Sequence, residues 1–256
     1  MITLIDIGNS RTKYVELING CLSKTSQLAN KDFNGGYFTD HFSQARKIVV
    51  ANVAKSALTT ELKVWCKSNN IGFTQVHSEQ QKNTLMSAYQ KPTQLGIDRW
   101  LALLAATHLY PKKNVLIIDA GTATTVDLVS GNGQHQGGWI LAGISALFNS
   151  ILSHSTLVQA ENKAAPSLAF GDNTTDNVNN ACWAATLGMI NQAIQQAHEL
   201  GDIDQVVLTG GNGLALAELL IADTSGKVNT INKSISANNI EFIDNIIFYG
   251  LQEYCE

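Results

Sequence analysis

Two short apolar runs, each ending on an acid and a glycine, dominate the pattern of hydrophobic and polar positions. The first run leads into Asp6 and Gly8, and a second extended run follows from Tyr14 to Ile18. Apolar runs on both sides of a short polar segment that contains glycine predict a β-hairpin. The stretch at 115–129, which reads VLIIDAGTATTVDLV, repeats this design.

The two hairpins align with each other at a single offset. The matching pairs are Asp6 with Asp119, Gly8 with Gly121, Asn9 with Thr122, and Thr12 with Thr125. An internal repeat of this length implies two related halves, each of which begins with an acid-bearing turn. We expect the two turns to face one another and to line a cleft with two carboxylates and with backbone N–H groups that suit phosphate.

The rest of the pattern alternates strands with helices. The predicted elements between the hairpins are strands at 47–52 and 72–77 and helices at 53–68 and 99–110, with an irregular stretch at 78–97. The second half adds a return strand at 134–141, helices at 145–154, 176–200 and 214–222, a strand at 205–208, and a last helix that ends at Tyr254. This order predicts an α/β fold with central sheets and two domains, 1–112 and 113–256.

Composition excludes several classes of function. The 256 residues are 45% apolar and carry a net charge of −4, so no broad basic field exists for nucleic acid or an anionic membrane. The N-terminus lacks the basic region of a signal peptide, and the longest apolar run is too short to span a bilayer. The four scattered cysteines, Cys21, Cys66, Cys182 and Cys255, contain no CxxC pair and indicate small apolar residues of a cytoplasmic protein.

The acids that end the two predicted strands are the first candidates for chemistry. Asp6 or Asp119 could hold a cation such as Mg²⁺, and the N–H groups of the turn would stay available for phosphate oxygens. The alternative is an Asx-turn, in which the carboxylate only braces its own backbone. Because an acid occurs at both repeat positions, a ligand-binding role for Asp6 and Asp119 is favoured over an Asx-turn. On the first hairpin, Ser10, Arg11 and Lys13 add a hydroxyl and two cations that could meet a phosphate, although a solvated hairpin face would look the same.

Two further segments resemble ligand sites. Gly210, Gly211 and Gly213 follow an apolar run and open a helix, which suits a nucleotide phosphate or merely a tight turn. No GxxxxGK[ST] sequence is present, so the chain is not a P-loop enzyme. Asp98 and Arg99 begin the helix at 99–110, where the acid could be a general base or only a helix N-cap. The guanidinium beside it could bind a carboxylate bidentately.

The histidines and tryptophans suggest no further site. No histidine has a partner at the spacing of a metal site or a catalytic triad, and we expect His135 and His154 to lie on the surface. Trp100 and Trp139 are expected to be packing residues.

Together these motifs resemble the type III pantothenate kinases. The motifs, in the family's order, are LIDIGNSRTK at 4–13, YxxPxxLGIDRW at 89–100, IDAGTATTVD at 118–127, GGWILAG at 137–143, GDNT at 171–174 and LTGGNG at 208–213. The resemblance covers nearly the whole chain, and the combination of GxDR with DAGTA is specific. It implies the acetate and sugar kinase, heat-shock and actin-like fold, with two duplicated ribonuclease H-like domains whose mixed central sheets are flanked by helices.

The resemblance also implies an activity, its cofactors and its partners. The expected reaction is ATP-dependent phosphorylation of the terminal hydroxyl of pantothenate, the first step of coenzyme A synthesis. Mg²⁺ and a monovalent cation, K⁺ or NH₄⁺, are the expected cofactors. Family members are homodimers with sites near the interface.

Site residues carry over by position. The expected ATP and phosphate contacts are Asp6, Ile7, Gly8, Asn9, Ser10, Arg11, Thr12, Lys13, Thr122, Gly210 and Gly211. The expected pantothenate contacts are Tyr89, Gly96, Ile97, Asp98, Arg99 and, from the partner subunit, Thr174. Asp98 corresponds to the proton acceptor, Asp119 to the ligand of the monovalent cation, and Asp6 to a ligand of Mg²⁺. Ser10, Ile97 and Ala142 depart from the commoner family residues, and the last two could alter the shape of the pocket.

Two alternatives stand beside this interpretation. The chain could be another small-molecule kinase or a phosphatase on the same fold. It could also be a non-enzymatic accessory factor for transcription, although the acidic balance and the lack of a helix-turn-helix pattern argue against DNA contact.

Overall fold

Both predicted hairpins form, and each is part of a mixed β-sheet. The structure is a computed structural model that describes residues 1–53, 57–155, 157–162, 165–222 and 236–255. The chain divides into two units, one formed by residues 1–109 and 246–256 and the other by residues 110–245.

The first unit is built on a sheet in which parallel and antiparallel strands meet. Its strands are β1 (Ile2–Ile7), β2 (Arg11–Ile18), β3 (Cys21–Leu22), β4 (Ser26–Ala29), β5 (Lys47–Asn52) and β6 (Gly72–Gln75). The strand order is β3-β2-β1-β5-β6, and β4 also pairs with β2. Because β1, β5 and β6 are parallel, their carboxyl ends lie at the same edge of the sheet.

Helices cover this sheet. They are α1 (Gly35–Phe42), α2 (Leu58–Ser68) and α3 (Ile97–Leu109). Phe33, Phe38 and Phe42 are fully buried against Ile5 and Ile48 of the sheet, and the rings of Phe33 and Phe38 meet edge to face, as aromatic quadrupoles prefer. The predicted helix at 53–68 begins only at Leu58, and residues 54–56 lie outside the described part. Part of the predicted irregular stretch is a small two-stranded sheet, β7 (Gln81–Lys82) with β8 (Leu85–Met86).

The second unit repeats the arrangement of the first. Its elements are β9 (Val115–Ala120), β10 (Ala123–Val129), β11 (His135–Ala142), α4 (Ile144–His154), α5 (Thr174–Leu200), β12 (Gln205–Thr209), α6 (Gly213–Ala222) and β13 (Ile240–Phe242). The strand order is β11-β10-β9-β12-β13, with β9, β12 and β13 parallel and the hairpin strands antiparallel. The prediction of duplicated α/β units with mixed sheets and flanking helices is confirmed.

The two hairpins differ in one respect, the length of the turn. Three residues separate β1 from β2, whereas two separate β9 from β10. As a result Asp6 pairs with Lys13, but Asp119 pairs with Thr125. The predicted match of Thr125 with Thr12 is therefore wrong.

The residue that occupies the place of Thr12 in the second hairpin is Thr124. Thr12 pairs with the residue after Asp6, and Thr124 pairs with the residue after Asp119. Both threonine side chains are buried. The single-offset alignment holds up to the glycine of each turn and slips by one residue beyond it.

The last helix, α7 (Ile247–Gln252), packs on α3 and β1 of the first unit. A Cβ at Gly250 would lie 2.1 Å from the carbonyl oxygen of Leu101, so only glycine permits this approach of the two helices. Next to it, the indole N–H of Trp100 donates to the hydroxyl of Tyr254, which donates to Glu79. The predicted second domain, 113–256, included this segment. The domain boundaries stay a prediction, and the two units differ from them at 110–112, which belong to the second unit, and at 246–256, which belong to the first.

No helix in the described ranges combines the length and the apolar character that crossing a membrane requires.

Candidate active site

The first hairpin turn exposes polar groups on a backbone that is tightly closed. The N–H of Gly8 donates to the carbonyl of Arg11 at 3.0 Å, and a Cβ at Gly8 would press on that same oxygen. Asn9, Ser10 and Arg11 are exposed. Their side chains are therefore accessible to a ligand, and the predicted contact of this segment with phosphate stays a prediction.

Not every residue of the predicted phosphate loop can use its side chain. Ile7 and Thr12 are fully buried, Ile7 in the apolar core. The hydroxyl of Thr12 donates to Oδ1 of Asn30 at 2.9 Å. These two residues can therefore contact a ligand only through backbone atoms.

Asn30 braces the turn from below. Besides accepting from Thr12, its side-chain amide donates to the carbonyl of Gly8 at 2.8 Å, and its backbone N–H donates to the carbonyl of Ser10. Sequence reasoning missed this residue, since it lies in a polar stretch without a motif. One amide side chain thus fixes both ends of the turn.

Asp6 and Lys13 are direct neighbours across the hairpin. They occupy paired positions of β1 and β2, so their side chains lie on the same face of the sheet. Both are partly exposed. The hairpin therefore presents one acid and one base together, just below the polar turn.

In the second unit, Asp119 and Gly210 lie in contact. Residues 119 and 209 pair between the parallel strands β9 and β12, and the chain then turns at Gly210 with φ +85°. A Cβ at Gly210 would lie 2.4 Å from Oδ1 of Asp119 and 2.8 Å from the carbonyl oxygen of Ala120. Glycine is required here both for its backbone conformation and for the approach of the carboxylate.

The other predicted nucleotide contacts of this unit lie nearby. Thr122 is exposed in the turn between β9 and β10, and Gly211 is exposed just before α6. The N–H of Asn212 donates to the carbonyl of Ala120 at 3.0 Å, which holds the two loops together. The predicted ATP residues of the second half are thus collected at the carboxyl ends of its parallel strands, where ligands of open α/β sheets bind.

Asp98 lies in the first turn of α3. The helix begins at Ile97, so Asp98 does not occupy the cap position that was its alternative role. One oxygen of its carboxylate accepts from the N–H of Arg99 at 2.9 Å, and a Cβ at Gly96 would lie 2.5 Å from that oxygen. Gly96 is exposed and the carboxylate is partly exposed, so a ligand can reach it.

Arg99 is directed inward. Its side chain is 5% exposed, and one guanidinium nitrogen donates to the hydroxyl of Tyr89 at 3.0 Å. The structure thus brings two predicted pantothenate contacts together. The expected bidentate contact of Arg99 with a carboxylate stays a prediction.

A cavity of about 400 Å³ opens beside Asp98 within the first unit. Its size falls in the range of small-molecule sites. Gly96, Ile97 and Asp98 form part of its lining, together with residues at the ends of β5 and β6 or just beyond them, among them Asn52, Val53 and His77. It therefore lies at the carboxyl edge of the parallel strands, the edge at which β1 ends in Asp6 and Ile7.

Thr174 is exposed at the first residue of α5, whose N-terminus is capped by Asn173. Its predicted role depends on a partner subunit and stays a prediction. The same holds for the predicted cleft between the two hairpin turns.

Two predictions about side chains outside the site are wrong. His135 is 1% exposed, and its Nε2 lies 3.0 Å from Oδ1 of the buried Asp127. Trp139 is 40% exposed on β11, whereas Trp100 is buried as predicted. The eight-residue spacing of Asp127 and His135 gave no signal because the pair depends on the register of β10 with β11.

Three of the four cysteines are poor nucleophiles. Burial raises the pKa of the Cys66 thiol to about 11 and also raises the pKa values of Cys182 and Cys255. These thiols therefore stay protonated near neutral pH.

The donors around Asp119 fit a hard cation. The Asp119 carboxylate and the Ala120 carbonyl both border Gly210, and oxygen ligands are the kind that K⁺ and Mg²⁺ prefer. Within the described residues no cluster of three His, Cys, Asp or Glu side chains forms a metal cage. A site with one carboxylate suits an ion that also binds substrate phosphates and water.

Comparison with known proteins identifies the family. The model of the type III pantothenate kinase family matches residues 2–196. A type III pantothenate kinase from Colwellia psychrerythraea is 68% identical over 254 residues, 99% of this chain and 100% of that protein. Another from Pseudoalteromonas translucida is 32% identical over 215 residues, 84% of this chain and 86% of that protein.

Solved structures agree on the fold. A Campylobacter jejuni protein described as a Baf family transcriptional activator is 25% identical, with a TM-score of 0.57 and coverage of 98% of this chain and 96% of that one. A Sinorhizobium meliloti protein described as a 2-dehydro-3-deoxygalactonokinase superposes with a TM-score of 0.60 over 98% and 97% of the chains at 13% identity, which shows the fold alone. The expected sugar-kinase type of fold is confirmed, and the non-enzymatic alternative is not favoured. The chain belongs to the type III pantothenate kinase family, enzymes that phosphorylate pantothenate with ATP.

Proposed function

We propose that this protein transfers the γ-phosphate of ATP to the terminal hydroxyl of pantothenate, with Asp98 as the general base. The observation that carries the proposal is the position of Asp98. Its partly exposed carboxylate lines a cavity of about 400 Å³ at the carboxyl edge of the parallel strands. A carboxylate in a cavity of that size can accept a proton from the hydroxyl of a bound small molecule.

The reaction is an in-line displacement. As the hydroxyl oxygen attacks the γ-phosphorus, Asp98 accepts its proton and the bond from the γ-phosphorus to the β-phosphate oxygen breaks. ADP leaves, and 4'-phosphopantothenate remains. The protein forms no covalent bond to the substrates in this step, so the rate depends on how the reactants are positioned and on how the charge of the transition state is stabilised. The hydrogen bond from the N–H of Arg99 fixes one oxygen of Asp98 and so orients the carboxylate.

The first hairpin is the proposed phosphate loop. Its exposed segment, Asn9 to Arg11, offers N–H groups, a hydroxyl and a guanidinium, and Lys13 adds a second cation below the turn. Thr122, Gly210 and Gly211 are proposed as further ATP contacts. Tyr89, held by Arg99, is proposed to contact pantothenate, for which Gly96 and Ile97 supply the adjacent wall.

Asp119 and Asp6 are the proposed ligands of the cations. Asp119 would hold K⁺ or NH₄⁺ with neighbouring backbone oxygens, and Asp6 would hold Mg²⁺ together with ATP phosphates. Bound cations of this kind neutralise the charge of the phosphates.

A homodimer is proposed as the working state, in the cytoplasm where ATP is available. Support comes from exposed apolar side chains in the second unit, since large exposed apolar groups mark interaction surfaces. Phe170 is fully exposed four residues before Thr174, and Ile140 on β11 is 65% exposed. A partner that covers Phe170 would also contact Thr174.

Replacement of Asp98 tests the proposed function directly. The wild-type protein should release ADP from ATP only when pantothenate is present, and sugars or acetate should not replace it. Asp98→Asn should fold normally and lose kcat by about 10²–10⁴-fold, because the amide cannot accept the proton. Coupled ADP-release kinetics measure both.

Asp40→Asn is the matched control, since Asp40 is an exposed acid on α1. It should turn over within about twofold of wild type, the range of an uninvolved surface change. Near-normal turnover of Asp98→Asn would remove Asp98 from the role of base.

Loss of the brace under the phosphate loop should weaken ATP binding. Asn30→Ala removes the hydrogen bonds to Thr12 and Gly8, each worth about 0.5–1.5 kcal/mol. We expect the KM for ATP to rise by roughly tenfold while the KM for pantothenate changes little.

Asn69→Ala is the control. It removes the hydrogen bond from the Asn69 side-chain amide to the Trp65 carbonyl at the end of α2 and should leave both KM values unchanged. An unchanged KM for ATP in Asn30→Ala would mean that the turn keeps its shape without the brace or does not bind ATP.

Exchange of the monovalent cation tests Asp119. Turnover by wild type should fall when K⁺ is replaced by Na⁺ at equal ionic strength, because the oxygen donors at Gly210 suit one ionic radius better than another. In Asp119→Asn the difference between the two salts should disappear. Equal wild-type rates in K⁺ and Na⁺ would refute a selective cation site.

Sedimentation velocity tests the dimer. Wild type should sediment with the mass of two chains, and Phe170→Asp should shift it toward one chain because a charge would be buried in the interface. Leu214→Asp, on the exposed side of α6, should leave the mass unchanged. A wild-type protein that sediments with the mass of one chain would refute the proposed homodimer.

A further inference from the structure

The cavity beside Asp98 has a second wall that the family motifs do not cover. It is formed where the chain leaves β5 and β6. Asn52 ends β5, and His77 lies two residues after the end of β6. Both line the cavity together with Asp98.

The backbone places the His77 side chain firmly. The N–H of Val76 donates to the carbonyl of Val50 at 2.8 Å, so the chain stays paired with β5 up to the residue before His77. Val76 and Ser78 are buried, whereas His77 is exposed, as alternation along an extended chain requires. Its ring therefore points away from the core.

Ser78, the residue after His77, is hydrogen-bonded to the segment that carries the proposed base. The buried hydroxyl of Ser78 donates to the carbonyl of Leu95 at 2.8 Å. Leu95 immediately precedes Gly96, whose own space is limited by the Asp98 carboxylate. One side-chain bond thus fixes His77 and Asp98 on the wall of the same cavity.

The imidazole of His77 has no hydrogen-bond partner among the residues that the structure describes. Its two ring nitrogens offer a donor and an acceptor when the ring is neutral. The adjoining lining is apolar at Val53, Val76 and Ile97. The cavity therefore combines aliphatic walls with the polar side chains of His77, Asn52, Ser78 and Thr93, next to the carboxylate.

We propose that His77 is a specificity-determining residue of the pantothenate site, which hydrogen-bonds the secondary hydroxyl of the substrate. This inference rests on the proposed function. With the terminal hydroxyl at Asp98, the next atoms of pantothenate are a carbon with two methyl groups and then the carbon with the secondary hydroxyl. The methyl groups fit the aliphatic wall, and the hydroxyl fits a ring nitrogen of His77.

The chemistry defines a substrate class. The site would accept a primary alcohol separated by a branched apolar carbon from a second hydroxyl. A site built to hydrogen-bond a hydroxyl rejects the analogue that lacks it, because the polar group of the protein then loses its partner. The acid end of pantothenate plays no part in this recognition.

The test compares two substrates in three proteins. The substrates are pantothenate and its analogue without the secondary hydroxyl, and the proteins are wild type, His77→Ala and His77→Gln. Wild type should show a KM about tenfold higher for the analogue, the usual effect of one hydrogen bond. In His77→Ala the KM for pantothenate should rise about tenfold to that of the analogue, with kcat and the KM for ATP within about twofold of wild type.

Two variants control the measurement. His77→Gln keeps a donor and an acceptor and should retain part of the discrimination between the substrates. His41→Ala, an exposed histidine on α1 whose ring stacks on Tyr37, should behave as wild type. Thermal melting of each variant confirms that it is folded.

Each outcome decides one point. If wild type phosphorylates neither substrate, the proposed function fails. If wild type is active but His77→Ala discriminates between the substrates as wild type does, only the role of His77 fails. A rise in the KM for ATP alone would also overturn it, since His77 would then belong to the phosphate site.

Discussion

Burial of the first strand of each sheet is the constraint on which the rest of the structure depends. β1 and β9 lie between neighbours on both sides and are buried along nearly their whole length. A strand of this kind can carry a carboxylate only where it leaves the sheet, because an unpaired charge within it would cost several kcal/mol. Asp6 and Asp119 are in that position, and parallel neighbours bring their own ends to the same edge. The positions of the proposed phosphate loop, cation ligand and base, and of the cavity, therefore follow from strand direction.

The helix that carries Asp98, the proposed base, is supported by buried contacts behind it. Residues 99–106 of α3 are all buried, as expected of a helix that is apolar all round. α7 fixes this helix through the contact of Gly250 with Leu101 and the bond from Trp100 to Tyr254. The end of the chain thus holds the start of α3, although it lies more than 140 residues away in sequence. Precise placement of a catalytic group commonly requires such a shell.

Sequence alone predicted the fold, the duplication and the family, because these depend on patterns that repeat along the chain. Apolar runs that end in Asp-x-Gly predict the hairpins, and the GIDR and DAGTA motifs identify the family. The roles of Asn30 and His135 were not predicted, since each makes a contact that is set by tertiary register. Asn30 lies 22 residues from the Gly8 carbonyl that it holds. A lone polar residue at that distance has no periodicity or spacing that could reveal its partner.

The shorter turn of the second hairpin has a chemical consequence. Because the second turn is one residue shorter, each residue after it lies on the opposite face of the strand from the residue that matches it at the single sequence offset. In the first unit, Lys13 is the residue paired with Asp6. In the second unit, the residue paired with Asp119 is Thr125. The first hairpin therefore has a basic side chain in the position across from its acid, whereas the second has a neutral hydroxyl in that position.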